Sequence, residues 1–127
     1  MTTISIRRRI GAAIALLLAC GAAFALATGT IEVGQLPREA RTVLAAIRAG
    51  GPFAYAKDGS TFGNYEGVLP RQKRGYYREF TVDTPGARNR GARRVVCGGE
   101  ARDWSRNAPA ACWYTDDHYA TFRRIQE

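Results

Sequence analysis

The stretch LPREARTVLAAIRAGG, residues 36–51, carries the one clear helical repeat of the chain outside its N-terminal apolar run. Ala40, Val43, Leu44 and Ile47 recur at the three- and four-residue spacing of a single helix face. Pro37 suits the first turn, Glu39 the positive end of the dipole and Arg48 the negative end, and Gly50-Gly51 stops the helix. Such a stripe must be covered, and the rest of the chain offers short strands to cover it: YYREFTV (76–82), RRVV (93–96), CWY (112–114) and HYATF (118–122). In the first of these, alternation puts Tyr77, Glu79 and Thr81 on one face and Tyr76, Arg78, Phe80 and Val82 on the other, which Phe80 and Val82 mark as the core face. Thr84-Pro85-Gly86-Ala87 has Pro and Gly where a type II turn wants them, so the following segment can fold back. The expected fold class is α+β: one N-terminal helix packed on a small antiparallel β-sheet, with the opposite sheet face free to carry function.

Residues 1–27 read differently. Arg7, Arg8 and Arg9 precede an apolar run from Ile10 to Ala27 that holds no charge, and Ala25-Leu26-Ala27 supplies a small-x-small cleavage pattern. This is the layout of a secretory signal, and it sets the working domain at residues 28–127. Two alternatives stay open, an uncleaved anchor and lipid attachment at Cys20, and all three place the domain outside the cytoplasm. Cleavage implies a secreted, extracellular protein with no stable membrane association.

Without the three signal arginines, 16 basic and 11 acidic residues leave a charge of about +5. A small cationic domain draws polyanions, so nucleic acid ranks first among its partners. Cys97 and Cys112 are the cysteines left in the exported domain, where thiols can oxidise, and they are expected to pair. Two thiols and one histidine do not complete a four-ligand zinc site, so neither metal nor cofactor is expected.

Taken singly, the residues that could carry chemistry have plain readings. His118, the one histidine, sits beside Asp116 and Asp117; Glu79 follows Arg78; and Arg88, Arg90, Arg93 and Arg94 could form a solvated basic face. Together they suit a specific task. Cleaving RNA without a metal needs a base for the 2′-hydroxyl proton, an acid for the departing 5′-oxygen, and cations around the phosphate. A carboxylate, an imidazole and guanidiniums that offer paired donors to phosphate oxygens meet those needs. On RRVV, at most one of the adjacent arginines Arg93 and Arg94 can share a face with Glu79.

LPREA, GPFAYAKDG, FGNYEGVLP, GYYREFTVDTPGARNRGARR and TDDHYATF, spread over residues 36–125, resemble the small guanyl-specific microbial ribonucleases that include barnase and the secreted actinobacterial enzymes. The resemblance implies a helix on an antiparallel sheet, and an endoribonuclease that cleaves single-stranded RNA 3′ of guanine through a 2′,3′-cyclic phosphate. It implies that Glu79 is the general base, His118 the general acid, and Arg90 and Arg94 the phosphate-binding arginines, with Tyr119 at the phosphate and base. FGNYE, residues 62–66, is the matching base loop, so Phe62, Asn64, Tyr65 and Glu66 are the expected base contacts. Glu66 would accept from the guanine N1 and N2 hydrogens, a donor pair adenine lacks.

The chain departs from the family pattern in three places. Tyr65 stands where relatives commonly carry arginine, and Gly63 replaces a larger polar residue. CGGEARDWSRNAPAAC is a longer connection than expected, and its cysteine pair differs from a bridge between the chain ends. The expected partners are RNA and, if the activity serves as an antibacterial toxin, an acidic inhibitor of the barstar kind. The expected state is a monomer. The alternative to an enzyme is a basic RNA-binding domain of the same fold with reduced chemistry.

Overall fold

The computed structural model describes residues 29–127. The segment read as a signal, Cys20 included, lies outside the described residues. Among those described, no helix is long and apolar enough to cross a membrane.

The helix expected at residues 36–51 is α1, Arg38–Ala49, with Pro37 at its N-cap and Gly50 in the left-handed conformation at its C-cap, φ 78°. Ala40, Leu44 and Ile47 are its buried face. Six strands follow the chain as β1 (Gly29–Glu32), β2 (Ser60–Thr61), β3 (Tyr77–Thr81), β4 (Arg94–Gly98), β5 (Ala111–Thr115) and β6 (Arg123–Gln126). They form one sheet in the order β1-β6-β5-β4-β3-β2. Every pairing is antiparallel except β1 with β6. The architecture is α+β as expected, with a parallel edge strand added. Gly86 takes φ 79° and the Ala87 amide donates to the Thr84 carbonyl at 3.0 Å, the geometry read from Thr84-Pro85-Gly86-Ala87.

Apolar residues pack on both faces of the sheet. Against α1 lie Phe80, Val82, Val95, Cys97 and Tyr114, joined by Ile31 from β1 and Ile125 from β6. On the other face Tyr77, Val96 and Trp113 pack with Leu69 and Phe122. That second cluster covers part of the sheet face turned away from α1 rather than leaving it bare.

Two local expectations change. HYATF is not a strand: residues 118–122 form a turn, with φ 55° at His118 and 72° at Tyr119. Its reason is a set of hydrogen bonds accepted by the Asp117 side chain, described below, that replace ladder bonds. The long connection between the cysteines holds a short helix, α2, Ala101–Ser105. Trp104 anchors it by entering the α1-side core, while the Arg78 guanidinium lies 4.5 Å from the centre of its ring.

Cys97 and Cys112 are directly opposed in the β4–β5 register and form the expected disulfide, their Cα atoms 4.0 Å apart. Closing a 15-residue separation removes chain entropy from the unfolded state, which stabilises by about 3 kcal/mol. The Cys97→Ser/Cys112→Ser protein is expected to melt on the order of 10 °C lower. Calorimetry showing an unchanged melting temperature would mean that the bridge adds nothing to the strand pairing around it.

Candidate active site

The β3–β4 register decides which side chains meet. Glu79 stands opposite Val96 and Thr81 opposite Arg94, so these residues share the sheet face turned away from α1. Of the adjacent arginines it is therefore Arg94 that joins Glu79, and Arg93 falls on the other side. Arg90 reaches the same face from the loop before β4. Its Nη2 donates to Glu79 Oε1 at 3.0 Å, and its Nε and Nη2 donate to Thr81 Oγ1 at 3.1 and 2.8 Å. Arg88 is exposed and takes no part.

Arg94 is 2% exposed. Its Nη1 donates to the carbonyls of Arg93, Gly91 and Arg90 at 2.7, 3.0 and 3.4 Å, and its Nε to the Tyr119 hydroxyl at 3.1 Å. That hydroxyl in turn donates to Glu79 Oε2 at 2.7 Å. Glu79 thus accepts from Arg90 on one oxygen and from Tyr119 on the other, and Arg94 completes the chain. Burial first, then the hydrogen bond to Glu79, push the Tyr119 hydroxyl up to about 12, so it stays a proton donor near neutrality.

His118 is carried by the turn that follows β5. A left-handed backbone at two successive non-glycine residues is costly unless the surroundings impose it, and here Asp117 does. Its Oδ1 accepts from Thr115 Oγ1 at 2.8 Å and from the Thr121 amide at 2.9 Å, and its Oδ2 accepts from Thr121 Oγ1 at 2.5 Å. Thr115 Oγ1 also takes the Tyr119 amide at 3.2 Å, and the His118 amide donates to the Ala92 carbonyl at 3.0 Å. The turn is thereby fixed both to its own base and to the loop before Arg94. The bonds from Thr121 lead those that hold the Asp117 carboxyl below its usual range. The His118 imidazole itself is exposed, its ring centre 4.9 Å from that of Tyr119.

The loop FGNYE borders this arrangement. The Phe62 ring stacks on Tyr119 with centres 5.0 Å apart. Asn64, at φ 52°, has its side chain occupied: Nδ2 donates to the Leu69 carbonyl at 3.0 Å and Oδ1 accepts from the Leu69 amide at 3.1 Å. It braces the loop, its side-chain donor and acceptor both taken by Leu69. Glu66 is exposed. The two departures in this loop are physically one, because a Cβ at Gly63 would overlap the Tyr65 ring.

Residues 21–126 match the model of a protein family described as ribonuclease. The chain belongs to the ribonuclease family. This ribonuclease is 47% identical over 100 residues to guanyl-specific ribonuclease Sa of Kitasatospora aureofaciens, covering 79% of this chain and 96% of that one. It is 42% identical over 93 residues to guanyl-specific ribonuclease St of Saccharopolyspora erythraea, covering 73% and 83%. Among solved structures, ribonuclease Sa2 with guanosine-2′-cyclophosphate matches with a TM-score of 0.68 at 42% identity, over 79% of this chain and 97% of that chain. A structure from a study of ribonuclease Sa2 complexes with mononucleotides matches with a TM-score of 0.69 at 40% identity, over 80% and 96%.

The ribonuclease brings Glu79, Arg90, Arg94 and Tyr119 into one hydrogen-bonded group, with His118 beside Tyr119 and Phe62 stacked on it. Tyr65 and Glu66 stand apart, exposed on the loop. Sequence reasoning missed Thr81, which orients Arg90, and the Thr115-Asp117-Thr121 clamp under His118. Asp117 had a signal: a carboxylate two residues after one threonine and four before another is a common local acceptor pattern.

Proposed function

We propose that this ribonuclease is an exported, metal-independent enzyme that cleaves single-stranded RNA on the 3′ side of guanosine. The observation that carries the reading is the placement of Glu79. Its carboxylate lies on the sheet face turned away from α1, held by Arg90 and Tyr119 and linked through Tyr119 to the buried Arg94, while His118 stands on a clamped turn with its ring beside that of Tyr119. Glu79 takes the proton from the 2′-hydroxyl as the 2′-oxygen bonds to phosphorus. The bond from phosphorus to the 5′-oxygen breaks, and His118 delivers a proton to that oxygen. Arg90 and Arg94 stabilise the charge that builds on the non-bridging oxygens. Water then opens the 2′,3′-cyclic phosphate with the two roles reversed.

Preference for guanine is supported by the names of the relatives and by the FGNYE loop, where Phe62 offers a stacking surface and Glu66 a charged acceptor. Export is supported by the Arg7–Arg9 cluster and the apolar run behind it, and sequencing of secreted protein should find Thr28 near its N-terminus. The working domain is then residues 28–127.

The test is cleavage of a short RNA in the presence of chelator, with the cut sites mapped. Cuts after guanosine are expected; binding without cleavage would favour an RNA-binding domain instead. Glu66→Gln should lower the ratio of kcat/KM for GpN over ApN dinucleotides by about tenfold or more, the worth of a hydrogen bond to a charged group. A ratio that does not move would remove Glu66 from base reading.

A further inference from the structure

A groove of about 1140 Å³ begins at the base loop, whose Phe62, Gly63, Asn64 and Tyr65 line it. Val68 follows from the same loop, and Arg71, Lys73 and Arg74 line it from the segment leading into β3. None of Glu79, Arg90, Arg94 or His118 lines it, and of the turn that carries His118 only Ala120 reaches it. The proposed proton transfers do not use this groove, which shares only its base-loop end, at Phe62 and Asn64, with the guanine reading.

Its walls have a definite character. Three cations fall within residues 71–74, all exposed. Lys73 meets Glu100 at 2.6 Å, but among the described residues no carboxylate lies within 4.0 Å of Arg71 or Arg74. Tyr65 is 92% exposed and is the large apolar side chain that the described residues leave most open to water. Its ring rests over Gly63, where any side chain would displace it. A free aromatic face beside unpaired guanidiniums is the combination that holds single-stranded nucleic acid, stacking a base and meeting phosphates.

We propose that this groove binds the RNA strand on the 5′ side of the cleaved guanosine, with Tyr65 stacking on the preceding base and Arg71 and Arg74 meeting its phosphates. The direction rests on the ribonuclease reading of the site. There the departing 5′-oxygen, and all RNA beyond it, belongs beside His118. The guanosine joins the scissile phosphate through its 3′-oxygen, so its 5′ side leaves the base loop away from the catalytic cations, toward the groove.

The experiment compares three substrates with a single guanosine: the dinucleotide GpA, the same dinucleotide extended by three uridines at its 5′ end, and the same extended at its 3′ end. For the native protein, the 5′ extension should raise kcat/KM by about tenfold, the order expected for one stacked base and its phosphate contacts. The Arg71→Ala/Arg74→Ala protein should lose most of that gain and its salt dependence while cleaving GpA within about twofold of native. Tyr65→Ala should reduce the gain, and Tyr65→Phe should retain it. No gain from the 5′ extension, a gain confined to the 3′ extension, or an equal loss on all three substrates in the double variant would overturn the proposal. Failure of the native protein to cleave even GpA would instead overturn the ribonuclease reading beneath it.

Discussion

His118→Ala is expected to lower RNA turnover by about two to four orders of magnitude, the usual worth of a positioned proton donor. The same substitution should abolish the alkaline limb of the pH–rate curve. This is the one histidine in the chain, so no second imidazole can take over. Tyr119, beside it, is held near 12 by burial and by Glu79, and a phenol that keeps its proton so firmly is a poor donor to a leaving oxygen near neutrality. Glu79→Gln should remove the acidic limb instead, since an amide cannot accept the 2′-hydroxyl proton. Asp117 is not the source of that limb. Its folded value is depressed, so the support it gives the turn is complete above the ordinary carboxylate range and is lost only as pH falls through the lowered value. Near-native turnover in His118→Ala, measured on a dinucleotide across the pH range, would refute the assignment of the acid.

The long periodic features of this fold were legible because burial enforces them. α1 shows its stripe at Ala40, Leu44 and Ile47, and β3 its alternation, since each must bury one face. The disulfide was legible from cysteine count and the expected export, and the strand register explains it geometrically. The remainder was set by contacts that leave little trace in periodicity. β1 has four residues and is held by pairing with β6 at the other end of the chain. α2 has five residues, too few for a repeat, and depends on Trp104. HYATF alternates like a strand, yet local hydrogen bonds to Asp117 outcompete the ladder and bring Tyr119 and Phe122 to one cluster. In the site, the face shared by Glu79 and Arg94 was half legible: alternation allowed one arginine of the pair, and only the register selected it. The dependence of Tyr65 on Gly63 is a contact across two residues of a loop, which no pattern announces.

Arg94→Ala should fail in two separable ways. The guanidinium is buried and satisfies three carbonyls and the Tyr119 hydroxyl. The Arg93 carbonyl keeps the Val82 amide, but alanine takes the Arg94 donors from the Arg90 and Gly91 carbonyls and from the Tyr119 hydroxyl, at about 1–3 kcal/mol for each one that water cannot reach, so the melting temperature should fall markedly. Activity per folded molecule should fall as well, by about two to three orders of magnitude, because a preorganised donor to the phosphorane-like transition state is gone. Glu79 and His118 remain, so the bell shape of the pH–rate curve should persist under the reduced rate. Arg94→Lys refines the test. An ammonium keeps the charge but cannot span both the loop carbonyls and Tyr119 as the planar guanidinium does, so it should recover part of the stability and little of the rate. Unfolding curves run alongside dinucleotide kinetics would separate the two effects. If Arg94→Ala were destabilised yet cleaved at the native rate per folded molecule, Arg94 would be a bracket for the loop before β4, and Arg90 would be left as the cation that meets the phosphate.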